Sequence, residues 1–185
     1  MTTFPYHRIV VIGATGCGKS TLAQKLAQRL DLEYIELDAL YWKPNWVESS
    51  DEEFYARVEI ATRAPRWALA GNYRAVRELV WSRAEAVIWL DYPLLIILGR
   101  LLRRILKRWL KKELLWGTNY ESFWTHLKLW SADSLIHWLF KTYWRRKREY
   151  TQLLALSEYF DNVIFSYSCH CEERFLRRPR SVPKG

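Results

Sequence analysis

The stretch Arg8-Ile9-Val10-Val11-Ile12-Gly13-Ala14-Thr15-Gly16-Cys17-Gly18-Lys19-Ser20 decides how the rest of the chain is read. Arg8 to Ile12 is a short β-branched run, the pattern of a buried strand. From Lys19 to Leu30 the apolar residues Leu22, Leu26, Ala27 and Leu30 fall on one helical face. Between them, Gly13 to Ser20 satisfies G-x-x-x-x-G-K-[ST], and strand, glycine turn and helix in that order are the context this motif needs to bind phosphate. Glycines let the backbone wrap a triphosphate with its N–H groups inward, and the following helix turns its positive end toward the same anion. ATP is therefore the expected ligand of Gly13, Ala14, Thr15, Gly16, Cys17, Gly18, Lys19, Ser20 and Thr21. Lys19 is expected to bridge the terminal phosphates, and the Ser20 hydroxyl to coordinate the accompanying Mg2+. Cys17, near a helix N-terminus, is expected to have a lowered thiol pKa and to be an oxidation or alkylation point that ATP shields.

Outward from this unit, strand and helix patterns alternate. Strands are expected at Glu33 to Leu37, Trp67 to Ala70, Ala86 to Leu90 and Asn162 to Phe165, in addition to the first. A Trp/Pro loop spans Tyr41 to Val47, a helix begins at Ser50 with Glu53 completing a capping box, and a shorter helix runs around Ala75 to Arg83. Five short strands separated by helices predict a five-stranded parallel sheet in a three-layer α/β/α P-loop NTPase domain. The 185 residues are expected to form a single domain over 1–176, followed by a flexible basic tail at 177–185. With 50% hydrophobic and 16% aromatic residues, only 7 Gly and 6 Pro, the composition excludes collagen-like, low-complexity and disordered classes. Three cysteines make no disulfide framework and no apolar leader precedes the first strand, so the cytoplasm is the expected compartment. The apolar run Leu94 to Leu98 ends at Gly99 and Arg100, too short for a transmembrane segment.

The net charge is +9, and residues 100–148 carry 13 basic side chains against three acids. That concentration calls for a polyanionic partner. The P-loop already supplies one, so an enlarged basic helical lid over 100–148 is the leading expectation. Nucleic acid bound through phosphate contacts and Trp stacking, or an acidic bilayer, come second. In the helix from Leu94 to Trp116, apolar Leu98, Leu101, Leu102, Ile105, Leu106 and Trp109 form a stripe opposite the basic residues, as a packed lid stem requires. Trp116, Trp124, Trp130, Trp138 and Trp144 read as packing anchors, and Cys169-His170-Cys171 is too closely spaced for a structural zinc site. The chain lacks the N-K-x-D motif of GTPases and is small for a motor, which leaves a small phosphotransferase, monomeric or homodimeric.

Beyond the P-loop, three blocks carry a resemblance: Glu36-Leu37-Asp38-Ala39-Leu40-Tyr41-Trp42-Lys43-Pro44-Asn45-Trp46, Gly71-Asn72-Tyr73-Arg74 and Asp91-Tyr92-Pro93. With them the chain resembles the adenylate-kinase-like P-loop kinases, and within these the topology-modulation (FlaR-like) branch. The resemblance implies a nucleoside-monophosphate-kinase-like fold with an acceptor-binding insertion and a lid. It also implies γ-phosphoryl transfer from ATP-Mg2+ to a nucleotide, nucleoside or other small acceptor. Arg100 and Arg104 stand at the spacing of two lid arginines after Asp91, which implies that Arg104 contacts the phosphates and Arg100 stacks on the adenine. Arg145, Arg146 and Arg148 would close from the far side. Lys19, Arg104 and Asp38 are thus the expected catalytic groups, with Asp38 binding or deprotonating the acceptor and Glu36 as its companion. Asn72, Arg74 and Arg77 match the segment that binds the acceptor. A nucleotide-binding regulator that engages DNA or a protein through the basic helices is the alternative.

One departure stands out. Kinases of this kind often carry Asp immediately before the glycine after strand three, where this chain reads Leu69-Ala70-Gly71. Ala70 cannot contribute to a magnesium shell. Either the metal is held by Ser20, water and phosphates with help from Asp91 or Asp38, or the protein mainly binds nucleotide.

Overall fold

The computed structural model describes residues 5–111, 114–115, 119–120, 135–155 and 163–167. Four strands, β1 (Arg8–Gly13), β2 (Glu33–Glu36), β5 (Trp67–Ala70) and β6 (Ala86–Leu90), pair in parallel, and β9 (Val163–Tyr167) joins β6 in the same sense. The order is β2-β5-β1-β6-β9. Parallel neighbours require crossovers, and helices α1 (Lys19–Leu30), α3 (Asp51–Ala61) and α4 (Arg77–Arg83) supply them. A five-residue helix α2 (Leu37–Tyr41) and a hairpin of β3 (Trp42–Lys43) and β4 (Val47–Glu48) fill the loop after β2. Helices α5 (Leu94–Lys111) and α6 (Leu135–Ala155) follow β6, with a two-residue antiparallel pair, β7 (Leu114–Leu115) and β8 (Asn119–Tyr120), between them.

The period of two along β1 divides the core. Ile9 and Val11 face one layer with Leu22, Ala23 and Leu26 of α1 and Ile97, Leu101 and Ile105 of α5. Val10 and Ile12 face the other, with Phe54 and Val58 of α3 and Val80 and Trp81 of α4. All of these are at most 8% exposed, which accounts for a hydrophobic sheet covered on both sides. Leu101 follows Ile97 by four positions and Ile105 follows Leu101 by four, so the buried stripe on α5 is one face of the helix, while Leu102 and Leu106, assigned to the same stripe from sequence, are exposed. Helix α6 begins against the first layer through Ile136, Leu139 and Tyr143 and ends against the second through Tyr150 and Leu153. It thereby passes the end of the sheet where the P-loop lies.

Local signals explain the element ends. The Ser50 hydroxyl accepts from the Glu53 N–H and the Glu53 carboxylate accepts from the Ser50 N–H, the expected capping box, worth about 1 kcal/mol. Helix α1 stops at Asp31 in the left-handed conformation, whose N–H bonds the Ala27 carbonyl, and the chain turns directly into β2. No helix among the described residues is long and apolar enough to cross a membrane. Trp116, Trp124, Trp130, Cys169-His170-Cys171, the tail at 177–185 and much of the expected lid lie outside the described residues.

Candidate functional site

The loop from Gly13 to Gly18 joins the C-terminal end of β1 to α1. Gly13, Gly16 and Gly18 have φ of 146°, 81° and 103°, so the backbone turns three times where a side chain would be strained. At Gly13 a Cβ would stand 2.8 Å from both Cys17 Sγ and the Leu90 carbonyl oxygen, which leaves glycine as the residue that fits. Gly18 opens α1 without a capping side chain, and the first turn holds no acid, so the helix presents its N–H groups and positive end to the loop. The Lys19 ammonium folds over the loop and donates to the Ala14 carbonyl at 3.0 Å. Thr15 is half-buried and Thr21 exposed.

Two side chains from elsewhere clamp this loop. Asn72, just beyond β5, accepts from the Gly13 N–H at 3.3 Å through Oδ1 and donates through Nδ2 to the Gly13 carbonyl, so one side-chain amide holds both backbone groups of one glycine. Arg100 of α5 donates from Nη1 to the Cys17 carbonyl at 2.9 Å, with its guanidinium 4.3 Å from the centre of the Tyr92 ring. The arginine expected to stack on adenine thus stacks on a tyrosine of the chain and holds the loop. Arg104, one turn further along α5, is half-buried. Arg145 and Arg148 are exposed, and Arg146 lies over Trp138 at 5.9 Å.

Cys17 is fully buried. Burial pushes its thiol up, against the charges of Lys19 and Arg100 and local backbone hydrogen bonds, so desolvation wins over the helix end. The cysteine expected to carry a lowered pKa is instead buried in the loop with its pKa raised.

Beside the loop sits a carboxylate whose position the sequence did not disclose. Ser20 Oγ donates to Glu36 Oε1 at 2.9 Å, and the Tyr34 hydroxyl donates to Oε2 at 2.9 Å. Burial and then the Glu36 charge push the Tyr34 phenol well above its usual range, so it stays protonated and remains a donor. Two hard oxygen donors at the start of α1 suit Mg2+, which keeps several waters and phosphate oxygens and needs few protein ligands. Among the described residues no group of three or more His, Cys, Asp or Glu could hold a metal ion. Glu36 therefore occupies the place beside Ser20 that neither Asp91 nor Asp38 takes. Asp91 is paired with Lys147 of α6 at 3.1 Å, and Asp38 with Tyr73.

Asp38, in the first turn of α2, forms the other side of the site. It accepts at Oδ1 from the Tyr73 hydroxyl at 2.8 Å. Burial and then Asp38 push the Tyr73 phenol far above its usual range, which keeps the proton on the tyrosine. Tyr41, Phe54 and Tyr73 pack with ring centres 4.8 to 5.1 Å apart, and Trp42 meets Tyr41 at 5.1 Å and Trp46 at 5.6 Å. Gly71 permits this approach: its φ is 153°, and a Cβ there would stand 2.6 Å from Leu37. Arg77 is bound at 2.8 Å by Glu149 of α6, and Arg74, largely exposed, lies 3.8 Å from the same carboxylate oxygen. The structure thus gathers Lys19, Ser20, Asn72 and Arg100 on the loop, sets Asp38 apart on the aromatic side, and commits Arg74 and Arg77 to α6. The spacing of Glu36 from Asp38 was the available sign of the first; nothing local announced Glu149 or Lys147.

The family described as ethanolamine utilisation and propanediol utilisation (PduV-EutP) matches residues 6–60, less than half of the chain. A bifunctional pantoate ligase/cytidylate kinase of Gloeobacter violaceus is 41% identical over 83 residues, 43% of this chain and only 16% of that protein's length. The uncharacterised protein YqaC of Bacillus subtilis is 29% identical over 126 residues, 67% of this chain and 70% of YqaC. Among solved structures, a shikimate kinase from Bacteroides thetaiotaomicron superposes with a TM-score of 0.53 at 18% identity, covering 87% of this chain and 86% of that one. The chain has the fold of the P-loop kinases.

Proposed function

We propose that this protein is a cytoplasmic ATP- and Mg2+-dependent phosphotransferase of adenylate-kinase-like type, transferring the γ-phosphoryl group to a small acceptor. The observation that carries this is the P-loop with Lys19 over it and the Ser20–Glu36 oxygen pair beside it, in a fold shared with P-loop kinases. The topology-modulation branch is the finer affiliation that the sequence blocks favour.

In this reading the loop amides and the α1 N-terminus bind the donor phosphates, while Asn72 and Arg100 hold the loop in shape. Ser20 would hold Mg2+, with Glu36 as its carboxylate partner; the ion, when bound, neutralises charge on the donor phosphates. Lys19 and Arg104 supply cationic donors where charge gathers during transfer. Asp38, with Oδ1 occupied by Tyr73, keeps its other oxygen for the proton of the acceptor hydroxyl. Arg74 and Arg77 flank the acceptor side, where Glu149 holds both of them.

The test is ATP consumption with Mg2+ across nucleosides, mononucleotides and small hydroxyl compounds, for the wild type and Lys19→Ala. Acceptor-stimulated turnover should appear and fall by about 10³-fold in the variant. Turnover that no acceptor stimulates sinks the proposal.

A further inference from the structure

Among the described residues from 33 to 83, which include those around Asp38, the positive charge is already committed. Every Lys and Arg between residues 33 and 83 is engaged by a carboxylate, a backbone carbonyl or a hydroxyl. Near Asp38, Lys43 is paired with Glu53, and Arg57 donates to the Leu40 carbonyl at 3.1 Å and Ser49 Oγ at 3.2 Å. Arg77 and Arg74 share Glu149. A phosphate or carboxylate on an acceptor needs converging cations, commonly a bidentate arginine, and each of these cations already has its partner.

What does converge on Asp38 is a neutral, aromatic surface. The Tyr73 phenol donates to Oδ1, and Trp42 joins the same cluster through the Tyr41 ring, which packs on both. Trp46, 39% exposed, stands edge-on to Trp42 at the tip of the β3–β4 hairpin. Its φ is 59° and that of Asn45 is 61°, a left-handed pair that is unusual for a bulky aromatic and is found where backbone strain serves a site. Indole faces take up flat bases and the apolar faces of sugars, and they have no means of compensating a bare anion.

Resting on the phosphotransferase reading, we propose that the acceptor is a neutral hydroxyl-bearing ring compound, a free nucleoside or a free sugar, seated against Trp42 and Trp46 with a hydroxyl at Asp38. Its oxygen forms the bond to the γ-phosphorus as the bond from that phosphorus to the β–γ bridging oxygen breaks. ADP leaves, and the hydroxyl proton passes to Asp38. Glu149 is the positioning residue for this selectivity, since it keeps Arg77 and Arg74 from serving an anionic acceptor.

The experiment uses γ-labelled ATP and paired acceptors: each common nucleoside with its 5′-monophosphate, and glucose and ribose with their phosphates and sugar acids. Wild type, Trp42→Ala, Trp42→Phe and Glu149→Ala are compared, and ATP binding is followed separately with a fluorescent analogue. At least one neutral compound should be used about tenfold or more better, in kcat/KM, than its anionic counterpart. Trp42→Ala should raise its KM about tenfold with ATP binding unchanged, Trp42→Phe less so, and Glu149→Ala should narrow the selectivity. The nucleoside and sugar arms identify which ring is taken. An anionic acceptor used equally well or better, or selectivity unchanged in Glu149→Ala, overturns the proposal while the phosphotransferase reading stands. ATP binding without transfer to any acceptor overturns both.

Discussion

Around Gly13 to Ser20 the groups that would meet the donor are held by backbone: three glycine turns, an uncapped helix end, and two side chains bonded to loop peptide units. Around Asp38 the groups that would meet the acceptor are held by side chains reaching across the fold. The Tyr73–Asp38 bond spans 35 residues of sequence and the Arg77–Glu149 bond spans 72. The groups offered to the donor thus lie in one contiguous segment, braced by Asn72 and Arg100 from 59 and 83 residues away, whereas acceptor selectivity would rest on side chains brought together from α2, the β3–β4 hairpin and α6. The first arrangement suits a ligand common to a whole fold, and the second can change with a few contacts while the loop stays intact.

The sharpest way to break this division is at Glu36 and Asp38, two residues apart and on different sides of it. Glu36→Gln should raise the Mg2+ concentration for half-maximal turnover by about 10- to 100-fold, the usual consequence of weakening a partner of a metal ligand. Asp38→Asn should leave the Mg2+ requirement where it is and lower kcat. If both variants shift the metal requirement alike, the two carboxylates belong to one centre and the comparison fails.

A smaller effect separates the neighbours Asn72 and Tyr73. Asn72 makes two hydrogen bonds to Gly13, each worth about 1 kcal/mol, so Asn72→Ala should weaken ATP binding by up to about 30-fold and leave the acceptor KM close to wild type. Tyr73→Phe removes the bond to Asp38 and should do the reverse, changing acceptor parameters by about fivefold with ATP affinity intact. Acceptor KM rising in Asn72→Ala with ATP binding preserved would return Asn72 to the acceptor side, where the family resemblance places it.

These residues also show what sequence could disclose. The parallel strands from Arg8 to Leu90, the P-loop and the Ser50 capping box are local patterns, and each is legible because spacing alone determines geometry. Asn72 and Arg100 stand out in the sequence, but their partners do not, because a bond to Gly13 or Cys17 depends on how β5 and α5 pack beside the loop. Cys17 misleads for a related reason. Its place near a helix N-terminus suggests a lowered pKa, while its complete burial, a tertiary property, pushes the thiol the other way. Glu36 reads as a companion of Asp38 on one strand face, yet the chain enters α2 at once and the two carboxylates separate, one to Ser20 and one to Tyr73.

The far end of the sheet supplies the smallest effect and the control for the others. Glu85 precedes β6 and accepts at Oε2 from the His7 N–H at 2.7 Å and the Arg8 N–H at 3.3 Å, while Oε1 meets the Arg8 guanidinium at 3.0 Å. Burial works to raise its pKa, but these hydrogen bonds and the Arg8 charge outweigh it and hold the carboxyl below its ordinary value near 4.5. A depressed folded-state pKa gives stability that is complete above the ordinary value and is lost as pH falls through the folded one. Glu85→Gln puts an amide where only acceptor oxygens fit, so at pH 7 it should cost about 1 kcal/mol, a modest figure because the pair is partly exposed to water. In urea unfolding the gap between variant and wild type should close as pH falls below about 4.5, since the wild-type carboxyl then takes up its proton and loses the same interactions. A gap that persists unchanged into acid would mean that Glu85 acts through packing and not through its charge. ATP affinity at pH 7 should be unaltered, because Glu85 contacts His7 and Arg8, at the start of β1 and away from the loop; a loss of affinity here would show that the P-loop depends on the whole strand and not on its own braces.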